Sequence, residues 1–171
     1  MDTSTMIIVA CCILGGIVLI YLFSYFSDKR ALKSAASPQA NPAALPLQLQ
    51  AYERLVLLTE RISLPNLVSR VNQPELTARE MQQLLTLNIK QEFEHNITQQ
   101  IYVSREAWEA VNNLKEQNLL IINQVASFLP ENASAPDLNK GLMELLIQNP
   151  NASLHNIVSE ALQFEAKKLM S

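Results

Sequence analysis

Cysteine and glycine are scarce in this chain of 171 residues. The two cysteines, Cys11 and Cys12, are adjacent and lie in an apolar stretch, so they cannot cross-link the rest of the chain or supply a nucleophile there. Two of the three glycines, Gly15 and Gly16, lie in the same stretch. The remaining residues therefore contain neither a disulfide framework nor a glycine-rich loop that could cradle phosphate.

Histidine is also rare, because His95 and His155 are the only two. Glu92 and His95 form one Glu-x-x-His motif, whereas a di-iron bundle needs two such motifs and two further glutamates. Ala152 stands where His155 would need its glutamate. No Gly-x-Ser-x-Gly turn is present to activate a serine. The sequence thus predicts no catalytic residue, no metal site, no cofactor and no enzymatic activity.

Charge of one sign is not concentrated anywhere in the chain. The net charge is −3, from 16 acidic residues against 13 lysines and arginines. The ten basic residues that follow residue 44 are scattered, so they form no electrostatic footprint for a phosphate backbone. Nucleic acid is not expected among the partners.

A long apolar run stands near the N-terminus. Between Asp2 and Asp28 no residue is charged, and the segment Met6–Phe26 is apolar almost throughout. As a helix it would be roughly 31 Å long, about the thickness of the hydrocarbon layer of a bilayer. The positive start and cleavage site of a signal peptide are missing. We therefore predict a transmembrane helix within an anchor of residues 1–30.

The flanking charges predict the orientation of this helix. Lys29, Arg30 and Lys33 follow it, whereas Asp2 precedes it. Basic residues accumulate on the cytoplasmic side of membrane helices. We expect a single-pass protein of the plasma (inner) membrane, embedded in the lipid bilayer with its N-terminus outside and its C-terminal domain in the cytoplasm.

Small residues inside the run predict a packing surface. Cys12, Gly15 and Gly16 would let another membrane helix approach closely, which favours a homo-oligomer or docking on a membrane complex. The alternative is that glycine is simply common in membrane helices.

Residues 31–46 contain three prolines and almost nothing that could pack in a core, which indicates a flexible linker. The cytoplasmic domain, residues 47–171, is predicted to begin with a helix from Leu47 to Ser63. Leu64 and Pro65 interrupt this helix, and a short helix is predicted over residues 66–71.

Two capping signals predict the next helices. Thr77 and Glu80 have the spacing of a capping box, and the helix after them is expected to carry the apolar residues Met81, Leu84, Leu85, Ile89, Phe93 and Ile97. Ser104 is expected to cap a long helix that reaches Phe128. Its seam has one polar member, Asn118, and consists of Ala107, Val111, Leu114, Asn118, Ile121, Val125 and Phe128.

Leu120, Ile122 and Trp108 widen this apolar face, which favours a bundle over a two-stranded coiled coil. Two further helices are predicted over residues 137–148 and 151–170, after a loop over 129–136. No alternating strand pattern of useful length is present. The predicted fold is all-α, with an N-terminal transmembrane helix, a flexible Pro/Ala linker and a C-terminal bundle of four to six helices.

Three segments of the domain carry a resemblance. They are Leu49–Ile62, which contains Gln-Ala-Tyr-Glu-Arg-Leu, then Glu92-Phe-Glu-His-Asn96, and Gln99-Gln-Ile-Tyr-Val-Ser104. Together with Trp108 they resemble a family of bacterial single-pass membrane proteins without a known activity. The resemblance implies the membrane-anchored architecture. It directs attention to a set of mostly polar residues as a candidate interaction site: Tyr52, Glu53, Arg54, Glu60, Arg61, Glu94, His95, Asn96, Tyr102 and Trp108.

These residues have two interpretations. One is a structural network of hydrogen bonds and ion pairs that joins the first and third helices of the domain. The other is a functional surface. Our leading hypothesis is a membrane-tethered helical module that binds a protein partner at the cytoplasmic face, alone or as an accessory subunit. The alternative is an enzyme or small-ligand binder with a polar pocket around His95.

Overall fold

The computed structural model describes residues 43–148 and 154–170. Within these ranges every regular element is helical, and the only strand-like feature is one isolated β-bridge. The elements are α1 (Leu45–Ile62), α2 (Leu64–Val71), α3 (Ala78–His95), the 3₁₀-helix η1 (Ile97–Ile101), α4 (Arg105–Phe128), α5 (Ala135–Gln148) and α6 (His155–Met170). The predicted helical bundle is confirmed for this part of the chain.

Several predicted features lie outside the described residues. They are the membrane helix Met6–Phe26 with Cys12, Gly15 and Gly16, and the linker as far as residue 42. Among the helices that the structure does describe, none combines the length and the apolar character needed to cross a bilayer.

α1 begins two residues earlier than predicted. Pro46 lies in the first turn of α1, where backbone N–H groups have no acceptor within the helix, so the N–H that proline lacks is not needed there. Leu45 and Pro46 therefore belong to α1 rather than to the linker. α1 stops at Ile62, because Ser63 has an extended conformation with φ −57° and ψ 133°. α2 therefore starts at Leu64, two residues before the predicted start.

Side-chain caps fix the starts of α3 and α4, as predicted. Thr77 Oγ1 accepts from the Glu80 N–H at 3.2 Å, and Glu80 Oε2 accepts from the Thr77 N–H at 2.9 Å. Ser104 Oγ accepts from the Ala107 N–H at 3.0 Å. Each cap satisfies backbone donors that have no partner inside the helix, and both predicted caps are confirmed.

The cap of α5 was not predicted. The Ser134 N–H and Oγ both donate to Asp137 Oδ2, at 2.9 and 2.7 Å. Pro136 fits the first turn of a helix, so α5 begins at Ala135 instead of residue 137.

Two backbone hydrogen bonds join the starts of α3 and α5. The Ala78 N–H donates to the Ala133 carbonyl, and the Ala135 N–H donates to the Leu76 carbonyl, both at 2.9 Å. This antiparallel bridge holds two capped helix N-termini side by side.

α4 carries the predicted seam. Six of its seven members are buried, namely Ala107, Val111, Leu114, Asn118, Ile121 and Val125. The prediction was wrong for Phe128, which is 79% exposed, because α4 ends there and the extended Leu129 packs against the core in its place.

Ile122 and Trp108 do pack in or against the core. Leu120 does not, being 65% exposed, since it lies about 200° around the helix from Asn118.

α3 was predicted to reach Ile97, but it ends at His95. Asn96 Nδ2 donates to the Glu92 carbonyl at 2.8 Å and so takes the acceptor that a continued α-helix would use. The Asn96 N–H bonds instead to the Phe93 carbonyl at 3.0 Å. The chain tightens into η1 after His95, and Ile97 is left 44% exposed.

α1 lies at the centre of the bundle and packs against α2, α3, η1, α4 and α6. The apolar members of its buried face are Ala51, Tyr52, Leu55, Leu58 and Ile62. Its most extensive contact is with α6. Tyr52 meets Glu165 and Glu60 meets His155, so the two helices are antiparallel and the last helix closes over the first.

Gly141 marks a close approach of α5 to α4. A β-carbon at this position would lie 3.0 Å from Val125 Cγ1, which is tighter than ordinary van der Waals contact. The β-branched valine is stiff and cannot move aside freely. Glycine in a helix interior costs about 1 kcal/mol relative to alanine, and the close packing of the two helices offsets that cost.

We expect Gly141→Ala to lower the free energy of unfolding, because overpacking costs about 1–3 kcal/mol, more than the gain in helix propensity. In a Val125→Ala background the clash is absent, so the same substitution should raise the free energy of unfolding by up to about 1 kcal/mol. Urea denaturation of the four variants, followed by circular dichroism, measures this change of sign. Equal destabilisation in both backgrounds would contradict it.

Candidate functional site

The residues singled out in the sequence form several separate groups around α1. Tyr52 is 3% exposed, and its hydroxyl joins α1 to α4 and α6. The hydroxyl donates to Glu165 Oε2 at 2.6 Å and accepts from the Ser104 N–H at 3.1 Å. Ser104 Oγ donates to the same carboxylate oxygen at 2.6 Å. We call Tyr52, Ser104 and Glu165 the hydroxyl clasp.

The hydroxyl clasp is a structural contact, because the Tyr52 hydroxyl both donates and accepts a hydrogen bond within it. Burial, and then the hydrogen bond to Glu165, raise the pKa of Tyr52 above its usual 10.0, so the phenol remains a neutral donor. The Glu165 carboxylate lies at the N-terminus of α4, where the helix dipole favours negative charge. The partners of Tyr52 lie on α4 and α6 rather than on the third helix.

Sequence reasoning missed Glu165. Val158, Leu162 and Glu165 are spaced by four and three, so the carboxylate lies on the same side of α6 as buried residues. A charged side chain on the same side as buried residues needs a partner. This pattern was the signal by which the sequence could have indicated Glu165.

Arg61 on α1 forms a bidentate ion pair with Glu92 on α3. Arg61 Nε donates to Glu92 Oε2 at 2.8 Å, and Nη2 donates to Oε1. Arg70 on α2 adds Nη1 at 3.6 Å from the same carboxylate and donates from Nη2 to the Arg61 carbonyl at 3.3 Å. The hydrogen bonds from Arg61 lower the pKa of Glu92 below its usual 4.5, against the effect of burial. This ion pair does join the first and third helices.

Glu60 faces α6 instead. Glu60 Oε1 lies 3.0 Å from His155 Nε2, a contact that becomes an ion pair when the imidazole is protonated. That nitrogen makes no well-aligned hydrogen bond within the described residues. Asn66 Nδ2 donates to the Glu60 carbonyl at 3.1 Å and to Oε2 at 3.3 Å. Glu60 therefore ties α1 to both α2 and α6.

Aromatic and exposed residues complete the predicted set. The Trp108 ring lies 5.0 Å from the Phe93 ring, and Lys115 Nζ lies 4.2 Å from the centre of that phenyl ring. These contacts pack α4 against α3. Among the remaining predicted residues, Glu53, Glu94 and Tyr102 are exposed.

Asn118, the polar member of the seam, is 1% exposed and bonds to α1. Its Nδ2 donates to the carbonyl of Ile62 at 2.7 Å. Ile62 is the last residue of α1, where carbonyls lack a partner within the helix. The amide therefore satisfies the end of α1 and fixes the register of α4 against it.

An open groove of about 230 Å³ lies between α1 and the end of α3, and we call it the α1–α3 groove. Its lining includes Arg54, Leu57 and Arg61 on α1. The lining also includes Glu92 and His95 at the end of α3 and Asn96, the residue after that helix. Leu57 is 58% exposed. The Arg54 side chain makes no hydrogen bond or ion pair with any residue in the described ranges 43–148 and 154–170. Among the residues that the structure describes, this guanidinium therefore has no counterion.

Over the part of the chain that the structure describes, no three histidine, cysteine, aspartate or glutamate side chains come together as possible ligands.

A model for a family described as a family of unknown function, DUF7935, matches residues 1–169. No curated protein and no solved structure matches the chain. The family match covers the hydroxyl clasp and the α1–α3 groove, and it attaches no activity to either.

We expect Tyr52→Phe to lower the free energy of unfolding by about 1–2 kcal/mol, because it leaves the Ser104 N–H without its acceptor and removes a donor from Glu165. Tyr102→Phe is the matched control, since Tyr102 is 38% exposed and should change stability by less than about 0.5 kcal/mol. Urea denaturation measures both. Equal effects of the two substitutions would show that the hydroxyl clasp does not stabilise the fold.

Proposed function

Because the chain belongs to the DUF7935 family, whose function is unknown, we propose its role from its own sequence and structure. It is a membrane-tethered helical module that binds another protein at the cytoplasmic face, alone or as an accessory subunit of a membrane complex. The family membership confirms the resemblance to a family without a known activity. The proposal has two parts, a tether and a binding surface.

The apolar segment Met6–Phe26 supports the tether. Twelve of its residues are isoleucine, leucine, valine or phenylalanine. Each favours insertion into a bilayer by about 0.3–0.6 kcal/mol, or roughly 4–7 kcal/mol together. Lys29, Arg30 and Lys33 follow the segment and favour a cytoplasmic position for the domain.

The observation that carries the binding surface is an apolar stripe on the outer side of α6. Ile157 and Phe164 are 64% and 70% exposed, and Ala161 between them is exposed too. Spacings of four and three place these three residues on one face of the helix, while Val158 and Leu162 face the core. Adjacent exposed apolar side chains are typical of surfaces that contact other proteins.

The alternative is an enzyme or small-ligand binder at the α1–α3 groove, where His95 lies beside Arg61 and Glu92. The volume of about 230 Å³ argues against it, because small-molecule sites usually occupy about 300–1,000 Å³. Glu92 is also bound on both oxygens by Arg61 and so is a poor general base. The groove suits a protein side chain better than a metabolite.

The tether is tested by cysteine labelling in intact cells, with Cys11 and Cys12 replaced by serine. A cysteine introduced by Ser171→Cys should escape a membrane-impermeant maleimide until the cells are permeabilised. A cysteine introduced by Asp2→Cys should react in intact cells. Labelling of the Ser171→Cys variant without permeabilisation would overturn the orientation, and recovery of the full chain in the soluble fraction would overturn the tether.

The binding surface is tested by photo-crosslinking in native membranes. Benzoylphenylalanine in place of Phe164 should give a discrete crosslinked product, because the stripe on α6 would lie against the partner. At Asn113, an exposed polar position on α4, it should give none. The mass of the product separates a second copy of the chain from a different protein. The same pattern at both positions would contradict the proposed binding surface.

A further inference from the structure

We propose that the α1–α3 groove binds a short acidic segment of a partner protein. A carboxylate of that segment pairs with Arg54, and a neighbouring apolar side chain packs on Leu57. The inference rests on the proposed function as a protein-binding module, and it adds a second contact site besides the stripe on α6 and the chemistry of the partner there.

Charge complementarity is the first reason. Beyond residue 42 the chain has 14 acidic side chains against ten basic ones, so its surface is acidic on average. The α1–α3 groove differs, because Arg54 and Arg61 line it together with a single carboxylate, that of Glu92. Arg61 and Arg70 already neutralise Glu92. The groove therefore keeps a positive charge that attracts a carboxylate.

The apolar residue in the groove is the second reason. Leu57 lies between Arg54 and Arg61 along α1 and is 58% exposed. A small inorganic anion at Arg54 would leave this side chain in water. A peptide that places an apolar side chain beside its carboxylate would cover Leu57 and also exclude water from the ion pair, which strengthens it.

The dimensions are the third reason. Arg54 and Arg61 are seven residues apart, which corresponds to roughly 10 Å along a helix. Three or four residues of an extended peptide cover that length, at about 3.3 Å each. The volume of about 230 Å³ suits side chains of such a segment rather than a folded surface.

The type of cation is the fourth reason. A guanidinium presents its N–H groups as a planar fork that matches the two oxygens of a carboxylate, as Arg61 does with Glu92. The Arg54 guanidinium has no hydrogen bond or ion pair to the part of the chain that the structure describes, so it can make the same bidentate contact with a ligand. A lysine at this position would supply only a point charge.

The test uses the full chain in an uncharged detergent and isothermal titration calorimetry. The probe is a peptide that alternates leucine and glutamate, and its counterpart alternates leucine and glutamine. We expect the glutamate peptide to bind at least about tenfold more tightly than its counterpart, since a hydrogen-bonded charge pair is lost in the second. Sodium phosphate at equal ionic strength should not displace the peptide.

Two substitutions of Arg54 locate the site. Arg54→Gln and Arg54→Lys should each weaken binding of the glutamate peptide about tenfold, because neither retains the fork. Glu53→Gln is the matched control at the exposed neighbouring position and should not weaken binding. Circular dichroism melting of each variant verifies that the fold is unchanged, which is expected because the Arg54 side chain makes no hydrogen bond or ion pair with a described residue.

Equal affinity for the two peptides would overturn the inference, and so would equal behaviour of Arg54→Gln and Glu53→Gln. Displacement by phosphate would also overturn it and would indicate a general anion site. Crosslinking from position 164 is independent of these results. If that crosslink forms while the peptide fails to bind, the proposed function stands and only the chemistry of the α1–α3 groove is wrong.

Discussion

The burial of one face of α1 is the constraint on which the rest of this bundle depends. α1 packs against α2, α3, η1, α4 and α6, and α5 packs in turn against α2, α3 and α4. Polar contacts hold α1 at two points. The hydroxyl clasp binds Tyr52 in the middle of the helix, and Asn118 binds the carbonyl of Ile62 at its end. Apolar burial supplies the stability, and these directional bonds specify the register.

Local chemistry made much of the fold predictable from the sequence. The Thr77 capping box and the Ser104 cap follow from residue types three positions apart, and the seam of α4 follows from a repeat of three and four. Apart from Leu120, which lies inside α4 and is exposed, the errors fall at helix ends. Ile97 and Phe128 continue an apolar repeat in the sequence, yet the helix stops before the one and at the other. Periodicity does not reveal where a side chain such as Asn96 takes over a backbone acceptor.

The long-range pairs could not be predicted for a different reason. Tyr52 and Glu165 are 113 positions apart, and Asn118 and Ile62 are 56 apart. Whether such residues meet depends on how the helices cross, which a single sequence does not contain. The sequence did indicate that Asn118 was unusual, because it places a polar group on an apolar face, whereas only the family resemblance pointed to Tyr52. It identified the residue that needs a partner without identifying the partner.

The distinction between satisfied and unsatisfied polar groups separates structure from binding in this domain. The hydroxyl of Tyr52 both donates and accepts, and the Glu92 carboxylate is held by Arg61 and Arg70, so these groups have little left to offer a ligand. Arg54 lies on the same helix and has no such bond. Within the described residues, replacing its guanidinium breaks no hydrogen bond or ion pair, whereas replacing that of Arg61 breaks the ion pair with Glu92. If the α1–α3 groove binds an acidic segment as proposed, a ligand role and a structural role divide between two arginines two turns apart on α1, and a comparison of substitutions at the two positions separates binding from folding.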